Sequence, residues 1–563
     1  MRLRARNPWP ADREQGSRDW RLLPLSAALW LAMIVCFEVL DGEAGEGRLP
    51  WLMLAVGVSA VLIGGVICCM ACLAGCGRRR GELLGQAAMM LLSVIVALCA
   101  CAAHHVAERR SPTYELLAGS DAVPVVMTVR LREPPLTSDR RSADCRADAT
   151  VESVATDLVA SADYVPIRVY AAGDACAIRQ DGLYRMAGVL ERPEIGSAKA
   201  WLTVDEGTVP STIEPPGTMA RLVYAMQCAF IRNTQRLDDQ GSVLMPGITL
   251  GLPGQDVADP SMRAGTERMD PVYAQQVEDA FRAAGIMHLM AVSGGHFVIV
   301  AGLARRLCAV ARAPRCVTAC VVSGATVMLM RMMVPADSVG RAACMGMIGV
   351  CATLAGRRGQ GMSMLCLTVV GTLILFPDAS RSIGFALSCA AVLGIVWWNE
   401  PLARVCGRHM PASIAQTLSM TLSAQALALP VMVLVEPELP TLSIVANLLV
   451  GPIVTVTTLL GLAALAVSWW WPDAGFVLVW LGSGGTRVME RIAWWCAHAP
   501  VSVIPWFSGP MAAAALLLSE GLVVGAVRAW MSRRRDERYA PGIVRRMGEW
   551  MSETLRMLSS DAA

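Results

Sequence analysis

The sequence predicts a polytopic α-helical membrane protein of about 12 candidate spans, with a small β-domain inserted on the extracytoplasmic side. Three observations predict it. Of the 563 residues 55% are apolar and only 17% charged, against about 25% charged in an ordinary globular chain, and the mean hydropathy is +0.48. Apolar stretches of about 20 residues, the length that crosses a bilayer core as a helix, recur along the chain. Between two groups of them, near 113–214, the pattern changes from helical to strand-like alternation.

The first spans are Leu22–Leu40, Trp51–Ala74 and Leu83–Ala103. The first of them is long, has no small-residue cleavage site and leads directly into further spans, which argues against a cleaved signal peptide. Six arginines precede it, and Arg78-Arg79-Arg80 separate the second from the third. The positive-inside rule therefore puts residues 1–21, a basic N-terminus, in the cytoplasm and residues 104–284 outside.

In the outside segment, runs at 123–133, 147–155, 164–171, 183–191 and 200–205 alternate between Pro-, Gly- and Asp-rich turns. Five short strands suggest an OB-fold-like barrel, although a five-stranded sandwich gives much the same pattern. Between Cys101 and Cys228 the only cysteines are Cys145 and Cys176, both in this domain and on the oxidising side. We expect a disulfide between them; two independent buried thiols are the alternative. Most of the other cysteines read as small hydrophobes, Cys69, Cys72 and Cys76 being the nearest approach to a metal cluster. The connector 217–284 opens with an amphipathic stretch, where Leu222, Met226, Phe230 and Leu237 oppose Arg221, Arg232 and Arg236. It either lies in the membrane interface or packs on the bundle.

From 285 to 530 the candidate spans are 286–304, 317–334, 339–356, 361–376, 383–399, 412–435, 441–466, 474–496 and 510–530. Nine spans that start outside end inside, so the tail 531–563 is cytoplasmic. The charges agree: Arg305/Arg306, Arg357/Arg358, Arg404/Arg408 and Arg533-Arg534-Arg535 fall on cytoplasmic connections, and Asp337, Asp378 and Glu436/Glu438 fall outside. Within 441–466, Gly451-Pro452 interrupts the pattern, and 474–496 carries Arg487, Glu490 and Arg491. The tail has its own amphipathic stretch at 543–558.

The densest chemical signal is the run from Ala283 to His296, where His288 and His296, two of only six histidines, flank Ser293-Gly294-Gly295 inside an apolar span. Polar groups in hydrocarbon face a protein interior or an aqueous path, and paired glycines let the backbone open. The segment is either a broken helix lining a cavity or a close helix–helix contact. The two histidines are eight residues apart, about 12 Å on a continuous helix, and cannot share a metal ion without unwinding. A Ser293 nucleophile with a histidine base lacks both a Gly-x-Ser-x-Gly setting and a carboxylate partner. Arg331, Arg341 and Arg381 sit at outer span ends, where they have Asp337 and Asp378 as candidate partners. Gln416, Gln425 and Asn447 suit a pore lining, since uncharged amides satisfy a passing backbone without holding it. The one lysine, Lys199, is not in a Gly-Lys-Ser/Thr setting, so the chain carries no phosphate loop and no nucleotide motor of that kind.

The Phe281-to-His296 block resembles the hallmark segment of ComEC-type DNA-uptake channels. Further blocks are similar in the same order: Gly340-Arg341-Ala342-Ala343, Pro377-to-Gly394 with Phe385-Ala386-Leu387-Ser388, Ser423-Ala424-Gln425 with Leu429-Pro430, and Ala446-to-Ile453 with Asn447 and Pro452. The resemblance implies an inner-membrane channel passing single-stranded transforming DNA inward, and gives Arg331, Arg341 and Arg381 the alternative of meeting phosphates that enter the pore. Its partners would be the lipid bilayer, an outer DNA-receptor protein and a cytoplasmic helicase-like ATPase, and homo-oligomerisation is left open. It implies no catalytic residue, cofactor or metal. Many members add a metallo-β-lactamase-like domain, whose His-x-His-x-Asp-His pattern is not found here, so a separate nuclease is expected if one strand is degraded. The family usually has a larger apolar residue where Gly295 stands. In the acidic insert, with 10 basic and 16 acidic side chains over 113–214, Arg130, Arg132, Arg140, Arg141 and Arg146 are the candidate DNA groove, or else a solvated loop of mixed charge. The competing classes are an intramembrane serine hydrolase using Ser293 and a small-molecule or lipid transporter.

Overall fold

The computed structural model describes residues 20–40, 77–522 and 525, apart from 120–121, 139, 141–142, 156–159, 194–197, 206, 263–269 and 358. The expected span 51–74, the Cys69/Cys72/Cys76 group, Arg141 and the tail 531–563 lie outside the described residues.

Helix α1 (Leu23–Leu40) and helix α2 (Gly77–Arg109) lead through the short α3 (Pro112–Gly119) into the β-domain. There β1 (Ala122–Leu131), β3 (Cys145–Ala155), β5 (Pro166–Ala171), β6 (Leu183–Glu191) and β7 (Ala200–Val204) occupy the five expected runs, with β2 (Leu136–Thr137), β4 (Ala160–Ala162) and β8 (Ser211–Glu214) as short additions. Alternate residues point inward. In β1 these are Val125, Met127, Val129 and Leu131, and in β3 Cys145, Ala147, Ala149 and Val151, all buried in one apolar core. The strand order β1-β3-β5-β7-β6 returns to β1 through a β1–β6 pairing from Ala122↔Glu191 to Arg130↔Leu183, so the sheet closes into a small barrel. A sandwich would have left each of its two sheets with open edges. All the pairings are antiparallel except β5 with β7. Cys145, at the start of β3, is joined to Cys176 with their Cα atoms 6.0 Å apart.

The bundle follows: α4 (Thr218–Thr234), α5 (Asp239–Leu250), α6 (Pro271–Ala283), α7 (Gly294–Val310), α8 (Arg315–Met332), α9 (Asp337–Leu354), α10 (Gly361–Leu375), α11 (Ile383–Cys406), α12 (Ala412–Met432), α13 (Ser443–Val467), α14 (Pro472–Ala497) and a last apolar helix over Pro510–Leu522. Six described helices are long and apolar enough to cross a bilayer: Leu23–Leu40, Gly85–Arg109, Met287–Val310, Arg315–Met332, Ile383–Cys406 and Ser443–Val467. Each of the remaining candidate spans that is described is also helical. However, α10 and the last helix are short, α12 is rich in Ser, Thr and Gln, and α9 and α14 carry charges. Gly451-Pro452 does not interrupt α13, which runs unbroken for 25 residues.

The helices pack through small residues, as spans do where backbones approach closely. A Cβ at Gly394 of α11 would fall 2.0 Å from the Ser423 carbonyl of α12, so only glycine fits there. Helix α4 lays Val223, Met226, Phe230 and Ile231 into an apolar cluster with Ala464, Leu465 and Val479. Helix α5 is buried at every residue from Gln240 to Leu250. The connector therefore packs within the bundle.

Candidate functional site at the β-domain end of the bundle

The run that the sequence singles out is a helix break. Helix α6 ends in a Schellman motif: Gly285 N–H donates to Arg282 C=O and Ile286 N–H to Phe281 C=O, at 2.9 and 3.0 Å. Gly285 takes φ +68°, and a Cβ there would sit 2.5 Å from the Ser443 Cβ, so both its backbone and its packing require glycine. One 3₁₀ turn, Met287–Leu289, follows, and the chain then extends to Ser293, the N-cap of α7. Ser293 Oγ accepts the Gly295 N–H at 3.3 Å.

His296 Nε2 meets the Ile248 C=O at 2.8 Å. A carbonyl only accepts, so Nε2 carries the proton, and Nδ1 accepts the Ser293 N–H at 3.4 Å. The imidazole thereby satisfies a carbonyl that the end of α5 leaves without an intrahelical partner. Serine and histidine both act as caps, and the imidazole has no carboxylate to orient it among the described residues. A nucleophile–base pair is not what the break builds. His288, by contrast, is exposed.

Around the break, Ser338 Oγ of α9 donates to Val292 C=O at 2.8 Å, Ser382 Oγ at the start of α11 donates to Asp337, and Asn447 Nδ2 of α13 reaches Gly285 C=O at 3.5 Å. The N-termini of α7, α9, α11 and α13 thus share one end of the bundle. Arg341 lies among them, 7% exposed. Its Nε donates to Ser388 Oγ at 2.6 Å and its Nη1 contacts Met345 Sδ at 3.5 Å. Among the described residues no carboxylate pairs with it, and Nη2 faces Gly294, 3.9 Å from where a Cβ would be. Ser293, Gly294, Gly295, His296, Arg341 and Ser388 therefore converge here, with Asn447 at the margin and His288 in the turn that precedes them. Gln425, half-buried on α12, and Pro452, exposed on α13, make no hydrogen bond to the group.

Two expected pairings are different. Arg331 and Arg341 do not take Asp337; Arg331 reaches across to Asp181 of the barrel. Asp378 lies 3.1 Å from His104 Nε2 of α2 and accepts Lys199 Nζ at 2.9 Å, while the Arg381 guanidinium lies over the Phe37 ring. Lys199 also binds Glu108 at 2.6 Å. Burial raises the Asp378 carboxyl, but His104 and Lys199 outweigh it and hold the group at about 2. Burial lowers the Lys199 ammonium, and the carboxylates of Asp378 and Glu108 reverse that and leave it raised. Sequence reasoning missed this cluster: Lys199 stood out only as the one lysine, and spacing gave no partner for it.

The barrel arginines have local partners. Arg130 binds Glu152 and Glu214 at 2.6 and 2.7 Å, Arg132 binds Thr150, and Arg140 binds Glu191 at 3.1 Å and stacks on the buried Tyr170 and Trp201. Arg146 lies by the buried carboxyl of Glu133 and the half-buried one of Asp256. Among the described residues Arg130, Arg132 and Arg140 are thus each held by a neighbour within the barrel.

Residues 272–531 match the family model described as Competence protein. The match is consistent with a ComEC-type competence protein. The match covers the break and all of α7 to α14, with Arg341, Ser388, Gln425, Asn447 and Pro452, and leaves the barrel outside it. Together the apolar helices and the competence family point to a membrane protein. No curated protein and no solved structure matches the chain.

Proposed function

We propose that the protein is an inner-membrane channel that passes single-stranded transforming DNA into the cytoplasm during natural competence, with residues 104–284 outside and both termini inside. The observation that carries this reading is Arg341, a buried guanidinium with no carboxylate among the described residues, set against the N-terminus of α7. A buried cation without a counter-charge is costly, and an anion passing the break supplies what it lacks. Four helix N-termini at the same end add partial positive charge. Gly294 and Gly295 keep that end open. His288, Gln425, Asn447 and Pro452 are the further lining candidates.

Closure of the insert into a five-stranded barrel supports reading it as an OB-fold, which receives the strand ahead of the break. Its net acidity favours a guide of local contacts over bulk attraction of DNA. Moving each phosphate charge into a negative-inside cell costs about 2.3 kcal/mol per 100 mV, so the channel works with an outer DNA receptor and a cytoplasmic helicase-like ATPase.

The test is uptake of labelled duplex DNA into a nuclease-protected cytoplasmic pool, in wild type, a clean deletion and its complemented strain under inducing conditions. Loss of protected DNA with surface binding intact is the expected result. Unchanged uptake in the deletion overturns the reading and leaves lipid or solute transport to be assayed.

A further inference from the structure

A cavity of about 250 Å³ opens where the barrel meets the bundle, between Pro134–Pro135 and Ile178–Asp181 of the barrel, Pro216 and the first turns of α4 as far as Gln227, and Arg331 at the end of α8. Three arginines line it, Arg179, Arg221 and Arg331, against a single acid, Asp181. Asp181 is already paired with Arg331. Arg179 lies 4.6 Å over the Tyr224 ring, whose hydroxyl is fixed by Asp259 at 2.7 Å. Arg221 is three residues before Tyr224 on the same helix face, exposed, and pairs with no carboxylate among the described residues. The cavity therefore keeps two cations in excess, one of them a guanidinium plane already held flat by an aromatic ring. Its volume is several times the roughly 30 Å³ share of one water, room enough for a phosphate with its sugar or a single base.

We propose that this cavity binds a phosphodiester of single-stranded DNA as the strand passes from barrel to bundle. Arg221 and Arg331 contact the phosphate, and the Arg179–Tyr224 stack offers its outer plane to a base, the sequence-tolerant combination that single strands use. The proposal rests on the channel reading and names where the strand crosses from one part to the other. A phospholipid headgroup carries the same phosphodiester chemistry, so the experiment separates the two sources.

Full-length protein in lipid nanodiscs is titrated with a fluorescent 20-nucleotide oligo(dT) at several salt concentrations. Wild type is set beside Arg179→Ala, Arg221→Ala, the double variant and Arg221→Lys. Each alanine should weaken binding about tenfold; Arg221→Ala should also flatten the logarithmic salt dependence by about 0.7 for the phosphate left without its cation, Arg179→Ala should leave that slope nearly unchanged, and lysine at 221 should restore most of the affinity. A photo-crosslinking residue at Ala225, on the cavity wall, should capture the strand in cells taking up DNA, and one at Thr212 on β8 should not. If the double variant binds and imports DNA as wild type does, with no crosslink at Ala225, the cavity proposal fails while the channel reading stands. Loss of bound phospholipid with unchanged oligo(dT) affinity assigns the cavity to lipid and also overturns the proposal. Normal uptake in the deletion strain removes the channel reading itself.

Discussion

Two charged groups lie at the same end of this bundle and are built in opposite ways. In the first, Lys199 of the barrel, His104 and Glu108 of α2 and Asp378 before α11 interlock at distances of 2.6 to 3.1 Å. Each carboxylate lies against the Lys199 ammonium and the His104 imidazole, whose single Nε2–H serves one of them at a time, and the cluster ties three parts of the chain together. In the second, Arg341 is more deeply buried, yet it is given only a hydroxyl and a thioether. A charge whose counter-charges are all present serves the fold. A charge left without one is retained for something that arrives, and so the two groups should respond differently to the same kind of substitution.

The largest effect should come from removing the staple of the barrel that holds Lys199. Replacing Cys145 and Cys176 together by serine releases a loop whose ends are 31 residues apart. This should cost the barrel about 2–5 kcal/mol, read as faster hydrogen exchange over 122–214 with the bundle helices unchanged. Equal loss of protection across α7 to α14 would show that the two parts do not hold their stability separately.

Next is Arg341→Gln. Removing a buried, unpaired charge is neutral or stabilising, so the thermal midpoint should stay level or rise while DNA uptake falls about tenfold or more, the weight of a charge-assisted contact. If uptake and stability fall together, Arg341 is a packing residue and the contrast disappears.

Lys199→Met should do the reverse. It leaves Glu108 and Asp378 facing each other with only His104 between them. All these groups are partly solvated, with side chains 22–35% exposed, so the cost should be about 1–3 kcal/mol, below that of breaking a fully buried pair. Lys199→Arg should recover much of it. Because the Asp378 carboxyl is held at about 2, its share is present above the ordinary carboxylate range and is lost as pH falls through about 2. A Lys199→Met protein as stable as wild type would mean the cluster is incidental.

Where the pattern is local, the sequence already carries these parts. Strict alternation marked all five long strands, and Ser293-Gly294-Gly295 marked the break, because a period change and a glycine pair act through their immediate neighbours. The partners were not legible. Lys199 meets Asp378, 179 residues away, and Arg331 passes over nearby Asp337 for Asp181. Nothing in spacing says which chain ends meet. Helix α5 was not legible either, since a helix buried on all sides, with Pro246 within it, shows no polar face to set a period. The cavity of Arg179, Arg221 and Arg331 likewise joins three segments that are only charged loops and helix faces when taken one at a time.

The smallest effect concerns a group with neither full pairing nor solvent. Glu133, 9% exposed, accepts the Asp148 N–H at 2.9 Å. Burial first, and then the Asp148 charge, raise its carboxyl to about 7. A carboxyl raised on folding means that the native state holds a proton the unfolded chain has already released. The stabilisation is therefore complete below the ordinary carboxylate range and is lost as pH rises through about 7. Barrel hydrogen exchange in the full-length protein, corrected for its intrinsic pH dependence, should show opening become easier between pH 5 and pH 8. Glu133→Gln keeps the acceptor and removes the titration. It should flatten that profile and leave the barrel about 1–3 kcal/mol more stable than wild type at pH 8, with no difference near pH 4. A variant that keeps the wild-type slope would place the titration elsewhere, with Asp256, raised by burial and by Glu278 to about 6, the next to replace.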